Sequence, residues 1–79
     1  MSPPLTLYYR HNCHLCEQML AELHALYGGR LQISLVDVDK DAALQARYGL
    51  QVPVLIGGTT ILSLSRLDRS SLEDYLEAR

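Results

Sequence analysis

The chain has 79 residues, of which 48% are hydrophobic and 20% charged, and its seven basic and nine acidic side chains give a formal net charge of −2. This length leaves room for one domain with a thin core, and we expect residues 1–79 to form that single domain. A weakly acidic chain without a lysine or arginine block is not expected to bind nucleic acid. Since it also lacks a secretory signal and the ~20-residue apolar run that spans a bilayer, we expect a soluble, cytoplasmic protein.

The first half of the chain predicts a strand, a helix and a second strand. Leu5–Tyr9 is a short β-prone run. From Cys13 onward apolar residues recur at steps of three and four, which is typical of an amphipathic helix, and Gly28-Gly29 ends it. Leu31–Val38 predicts a second, mostly buried strand. Because a strand–helix–strand unit with short links has a right-handed crossover, these two strands are expected to lie parallel.

A short helix and a hairpin are predicted next. Ala42–Tyr48 contains good helix formers, and an aspartate of segment 37–41 can cap its first turn. Val52–Ile56 and Thr59–Ser63 predict two strands that are joined by a tight turn at Gly57-Gly58.

A last helix closes the predicted fold. Asp68 or a nearby serine can cap it, and its apolar side consists of Leu72, Tyr75 and Leu76. The resulting order, βαβαββα, predicts an α/β fold with a four-stranded mixed sheet flanked by helices.

The pair Cys13 and Cys16 is the strongest indication of chemistry in the sequence. A disulfide between these residues closes a very short loop and contributes little stability. Cys13 falls where the first strand meets the first helix, so the positive end of that helix favours its thiolate. Arg10, and His11 and His14 when protonated, add positive potential, which Glu17 partly opposes. Cys16 begins the apolar stripe of the helix and is expected to be more buried. An exposed attacking thiol beside a sheltered resolving thiol is what thiol–disulfide exchange requires.

Three segments of the chain resemble the thioredoxin superfamily and, within it, the small glutaredoxin-like proteins. They are Cys13-His14-Leu15-Cys16 after the first strand, Asp37–Asp41 after the second, and Tyr48–Leu55 before the hairpin. The resemblance extends from about Leu5 to about Leu76. It implies a minimal thioredoxin-like fold and a dithiol–disulfide oxidoreductase that serves electron transport.

The resemblance also implies roles for individual residues. Cys13 would attack and Cys16 would resolve the mixed disulfide. Val52 and Pro53, joined by a cis peptide bond beside the attacking sulfur, would dock an extended thiol substrate. Arg10 and His11 would favour the thiolate or bind a substrate carboxylate. The implied partners are glutathione or protein disulfides, with glutathione as reductant or substrate, no bound cofactor, no membrane and a monomeric chain.

Two departures from the family pattern leave alternatives open. His14 and Leu15 stand where classical glutaredoxins have a proline and an aromatic residue, so the redox poise does not transfer. Ser63–Ser65 stand where the family has the Gly-Gly-acid segment that binds glutathione. One alternative is a catalytically silent module that holds a peptide or partner protein beside Pro53. Another is a metal site, whose candidate ligands are His11, Cys13, His14 and Cys16.

Overall fold

The secondary structure follows the predicted order βαβαββα. The structure, a computed structural model, describes residues 4–77. Its strands and helices are β1 (Leu5–Tyr9), α1 (His14–Tyr27), β2 (Ile33–Asp37), α2 (Ala42–Tyr48), β3 (Val54–Gly57), β4 (Thr60–Leu64) and α3 (Arg69–Glu77). None of these helices has the length and apolar character needed to cross a membrane.

The four strands form one mixed sheet in the order β2-β1-β3-β4. β1 pairs in parallel with β2, with Leu7 opposite Leu35. It pairs in antiparallel fashion with β3, where Tyr8 lies opposite Val54, and β4 continues the sheet as the antiparallel partner of β3. The predicted parallel first pair and terminal hairpin are therefore confirmed.

Hydrophobic side chains pack on both faces of the sheet. Because side chains alternate along a strand, Leu5 and Leu7 of β1 lie on one face and Tyr8 on the other. The first face packs against α1 and α3 in a cluster of buried residues: Leu5, Leu7, Met19, Leu23, Leu55, Leu62 and Leu72. The second face packs against α2 in a smaller buried cluster of Val38, Tyr48 and Val54, in which the rings of Tyr8 and Tyr48 stack at 4.8 Å.

The second strand is shorter and more exposed than the sequence predicts. β2 covers Ile33–Asp37, and Leu35 in its middle is 51% exposed. The expectation of a mostly buried strand is wrong because β2 is the edge of the sheet, with β1 as its one neighbouring strand. Val38 is fully buried, but it begins a short 3-10 turn instead of ending the strand.

The hairpin turn also differs by one residue from its prediction. Gly57 is the last residue of β3 and pairs with Thr60, so the turn consists of Gly58 and Thr59. Gly58 has a φ of 61°, which glycine adopts without steric cost. Gly57 serves packing instead, because a Cβ atom at this position would lie 2.6 Å from the ring of Tyr75.

Side chains cap the starts of all three helices. Cys13 is the N-cap of α1, and Asp41 caps α2 by accepting hydrogen bonds from the backbone N–H groups of Ala43 and Leu44. Asp68 accepts from the backbone N–H of Ser71 at the start of α3. These bonds satisfy N–H groups that have no partner within the helix, as predicted for Asp68 and for the 37–41 segment.

Candidate active site

The cysteine motif and Pro53 come together at one end of the central strands of the sheet. Since Tyr8 pairs with Val54 in an antiparallel register, the end of β1 adjoins the start of β3. Cys13 follows β1 at the start of α1, and Val52 and Pro53 directly precede β3. The peptide bond between Val52 and Pro53 is cis. The cysteine motif and this proline therefore lie at the same end of the sheet, where β1 ends and β3 begins.

A tight turn leads the chain from β1 into α1. Asn12 has a φ of 59°, a left-handed conformation that asparagine tolerates better than most residues. Cys13 then returns to an extended conformation, with φ −111° and ψ 105°, which is typical of an N-cap. The turn thus presents the Cys13 sulfur to the first turn of the helix.

The two cysteines are joined by a disulfide and have different surroundings. Their Cα atoms are 5.2 Å apart. The Cys13 Sγ atom accepts a hydrogen bond of 3.1 Å from the backbone N–H of Cys16, and the Cys13 side chain is half-buried. Cys16 is only 4% exposed, as its place in the apolar stripe predicts. The sulfur nearer to solvent is therefore the one that receives a helix N–H.

Arg10 is bound by protein groups on all three of its guanidinium nitrogens. Nε and Nη2 donate to the two carboxylate oxygens of Asp39, at 3.2 and 2.6 Å, and Nη1 donates to the Gly49 carbonyl oxygen at 3.0 Å. Asp39 also accepts from the side-chain amide of Gln45. The hydrogen bonds from Arg10 lower the pKa of the Asp39 carboxyl, and those from Gln45 lower it further.

His11 lies against an acidic side chain as well. Its Nε2 atom is 3.3 Å from Asp37 Oδ2, and the Asp37 side chain is 7% exposed. The imidazole also packs edge-on against the ring of Tyr9, with ring centres 5.7 Å apart. The two residues that were candidates to stabilise the Cys13 thiolate thus each face a carboxylate.

These two acidic partners are not among the sequence predictions, in which the aspartates of segment 37–41 can cap the following helix, as Asp41 does. A signal for the pairing is nevertheless present, because Arg10 and His11 directly follow β1 while Asp37 and Asp39 lie at the end of β2. Two parallel neighbouring strands end at the same edge of a sheet, so these charges had to lie close together.

The backbone beside Pro53 has hydrogen-bonding groups to offer. The Pro53 carbonyl oxygen accepts from the backbone N–H of Ser65, which has a φ of 65°. Within residues 4–77, the N–H and C=O of Val52 have no hydrogen-bond partner, although its side chain packs against the Tyr48 cluster. Val52 therefore presents one free donor and one free acceptor at the edge where Cys13 lies.

Clefts flank the start of α1 on two sides. The first has a volume of about 210 Å³, and its polar lining consists of Arg10, His11 and Glu17 around Cys16. The second, of about 170 Å³, lies between α1 and the segment that follows β4, and it includes Leu15 and Ser65. Both clefts open beside the cysteine motif.

The four candidate metal ligands do not converge on one point in the structure. Cys13 and Cys16 are bonded to each other, His11 faces Asp37, and His14 is an exposed residue at the start of α1. In the described part of the chain, no three His, Cys, Asp or Glu side chains form a group that could hold a metal ion.

Comparison with known proteins identifies the family of this chain. The family model of the glutaredoxin-like domain (DUF836) matches residues 4–77. No curated protein matches the sequence.

Solved structures agree with this match. The crystal structure of target protein XcR50 from X. campestris is 38% identical, with a TM-score of 0.76, over 95% of this chain and 97% of that one. Its solution structure gives 38% identity and a TM-score of 0.74, over 100% of this chain and 96% of that one. A mutant thioredoxin from Halobacterium salinarum NRC-1 is 25% identical, with a TM-score of 0.57, over 95% of this chain and 72% of that one.

The sheet order, the placement of the three helices and these neighbours confirm the minimal thioredoxin-like fold that the sequence predicts. The chain belongs to the glutaredoxin-like domain family of the thioredoxin superfamily.

Proposed function

We propose that the chain is a dithiol–disulfide oxidoreductase of the glutaredoxin type, in which Cys13 attacks and Cys16 resolves. The observation that supports this most directly is the arrangement at the start of α1. The half-buried Cys13 sulfur accepts a helix N–H, while the buried Cys16 sulfur lies within bonding range of it. This gives the two thiols the unequal reactivity that exchange needs.

The helix end, more than the nearby cations, activates Cys13 in this proposal. The N–H of Cys16 and the positive end of the α1 dipole stabilise a thiolate at Cys13. Arg10 contributes less than its charge alone implies, because the Asp39 carboxylate offsets it, and His11 faces the Asp37 carboxylate. The backbone of the first helical turn is therefore the main group that stabilises the Cys13 thiolate.

The reaction balances with the two cysteines alone. The Cys13 thiolate attacks one sulfur of a substrate disulfide, forms a mixed disulfide and releases the other sulfur as a thiolate, which takes up a proton. Cys16 then loses its proton and attacks the Cys13 Sγ atom, which breaks the mixed disulfide and releases the second substrate thiolate. The substrate gains two electrons, and the protein is left with the Cys13–Cys16 disulfide present in the structure. Two thiol molecules such as glutathione restore the dithiol and form their own disulfide.

Val52 and Pro53 form the docking edge of the proposed site. The free N–H and C=O of Val52 can pair with the backbone of an extended substrate, as an added strand does. The substrates are glutathione or protein disulfides, and no resident cofactor is required because the two thiols carry both electrons. A monomer in a reducing compartment such as the cytoplasm suits this cycle.

The test is a disulfide reduction assay on the full chain with bis(2-hydroxyethyl) disulfide and glutathione. Cys13→Ser is expected to lower the rate to the level measured without protein, because it removes the attacking sulfur. Without glutathione, reduced Cys16→Ser treated with the disulfide is expected to accumulate a mixed disulfide on Cys13, which mass spectrometry detects as a defined mass increase. If Cys13→Ser retains the wild-type rate, the enzyme proposal is wrong.

The free backbone groups of Val52 also favour a second candidate, a module that binds a peptide or partner protein without turnover. The same assay separates the two functions. A binding module gives equal background rates for the wild type and Cys13→Ser, whereas an enzyme gives a large difference.

A further inference from the structure

We infer that Arg10 is a positioning residue whose ion pair with Asp39 holds the segment 49–53 in place for substrate docking. This inference rests on the proposed function, since it concerns the docking edge of that site. It replaces the role of a substrate ligand, for which Arg10 is a candidate from the sequence alone.

Arg10 connects three elements. It follows β1, its partner Asp39 lies in the turn after β2, and its second partner, Gly49, is the C-cap of α2. The two-point contact with Asp39 fixes the plane of the guanidinium group. The remaining nitrogen is thereby directed at the Gly49 carbonyl oxygen.

The segment between α2 and β3 is held by packing at one end and by backbone bonds at the other. Pro53 is buried and Val52 packs against the Tyr48 cluster, whereas Leu50 is fully exposed and Gln51 is also exposed. Residues 49–51 therefore depend on backbone bonds. The Gly49 carbonyl receives Arg10, and the Gln51 N–H donates to the Tyr48 carbonyl at 2.8 Å. Val52, with its free donor and acceptor, comes directly afterwards.

Asp39 also makes Arg10 a weaker ligand for a substrate carboxylate. A guanidinium group has five N–H donors, and in Arg10 three of them already donate to Asp39 and Gly49. The Asp39 carboxylate offsets the positive charge of Arg10 and would repel a second carboxylate at the same guanidinium group.

The experiment is a double-mutant cycle in the full chain with Arg10→Gln, Asp39→Asn and the double variant. The KM and kcat are measured for glutathione disulfide and for its tetramethyl ester, which keeps the peptide backbone but has no carboxylate. Each single variant is expected to raise the KM for both substrates by roughly fivefold with kcat changed less than twofold. The KM of the double variant should not exceed the higher of the two single-variant KM values, because both changes remove the same contact.

A substrate-ligand role gives a different pattern and would overturn the inference. Arg10→Gln would then raise the KM for glutathione disulfide alone, and Asp39→Asn would leave that KM unchanged or lower it, since it frees the guanidinium group. Arg69→Gln is the matched control. It removes an exposed arginine from another ion pair, with Glu73 on α3, and is expected to leave both KM values unchanged.

Amide hydrogen exchange tests the inference independently of turnover. Arg10→Gln and Asp39→Asn are both expected to accelerate exchange of the Gln51 N–H, which donates to the Tyr48 carbonyl, by at least roughly threefold relative to α1, whereas Arg69→Gln is not. Unchanged exchange in both variants contradicts the positioning role. If exchange accelerates but the wild type reduces no disulfide, the positioning stands and the proposed enzyme function fails.

Discussion

The two cysteines are three positions apart in sequence but differ in local conformation, hydrogen bonding and burial. Cys13 ends an irregular turn and receives a backbone N–H, whereas Cys16 points into the region packed under α1. The start of the helix produces this difference, because Cys13 is the N-cap outside α1, whereas Cys16 lies within its first turn and is buried. Unequal thiols are thus a direct product of where the helix begins.

The position of the Tyr75 ring requires a glycine at residue 57. An added Cβ atom would lie 2.6 Å from the ring of Tyr75, which packs against the main core cluster. We expect Gly57→Ala to lower the free energy of unfolding by about 1–3 kcal/mol, because the ring must move. Urea unfolding measures this change.

Gly29→Ala is the matched control for that substitution. A Cβ atom at Gly29 meets nothing within 4 Å, and we expect a change within about 0.5 kcal/mol. Equal losses of unfolding free energy in the two variants would show that the contact with Tyr75 is not the reason why position 57 requires glycine.

The start of α3 depends on one aspartate. Asp68 accepts from the backbone N–H of Ser71 at 3.1 Å and from its hydroxyl at 2.8 Å, and these bonds lower the pKa of the Asp68 carboxyl. Because the pKa is lower in the folded than in the unfolded state, ionised Asp68 stabilises the fold above the unfolded value of about 3.9. That contribution is lost as the pH falls through the folded value.

We therefore expect the melting temperature of Asp68→Asn to fall less than that of the wild type between pH 5 and pH 2. These two pH values lie on either side of the ordinary aspartate pKa of about 3.9. Asparagine still caps the helix but does not titrate. Asp74→Asn, at an exposed position of the same helix, serves as the control and should keep the wild-type dependence. Parallel curves for the wild type and Asp68→Asn would contradict the role of this carboxylate.

The short helix α2 and the turn before it hold the docking side of the molecule together. Asp41 caps α2, Tyr48 at its end is buried, and Gly49 receives Arg10. Seven residues make a weak helix in isolation, so tertiary contacts must stabilise α2. The charges at the ends of β1 and β2 supply part of that stabilisation.

Across the whole molecule, the parts of the fold that depend on local pattern are predictable from the sequence. The repeat from Cys16 to Tyr27 predicts α1, and the β-branched run before Gly57-Gly58 predicts the hairpin. The order of elements then restricts the sheet to few topologies. The cysteine motif and Pro53 fall at one sheet edge as a consequence.

The parts that depend on strand order are not predictable in the same way. Leu35 looks like a core residue in the sequence, but β2 is an edge strand and leaves it half-exposed. Arg10 looks like a free cation, but its neighbour across the sheet edge is Asp39. The edge position of β2 has no local signal in the sequence, whereas the pairing of Arg10 with Asp39, 29 positions apart, follows only once β1 and β2 are placed side by side in parallel.

The activation of Cys13 is the central claim, and the rate of alkylation against pH tests it most directly. Reduced Cys16→Ser isolates the Cys13 thiol, and reduced Cys13→Ser isolates the Cys16 thiol, with iodoacetamide as the probe. We expect the Cys13 rate to rise with an apparent pKa below the value of about 8.5 for free cysteine, and the buried Cys16 thiol to react more slowly at every pH. A Cys13 profile with its midpoint at or above that of free cysteine would contradict the claim that the start of α1 activates this sulfur.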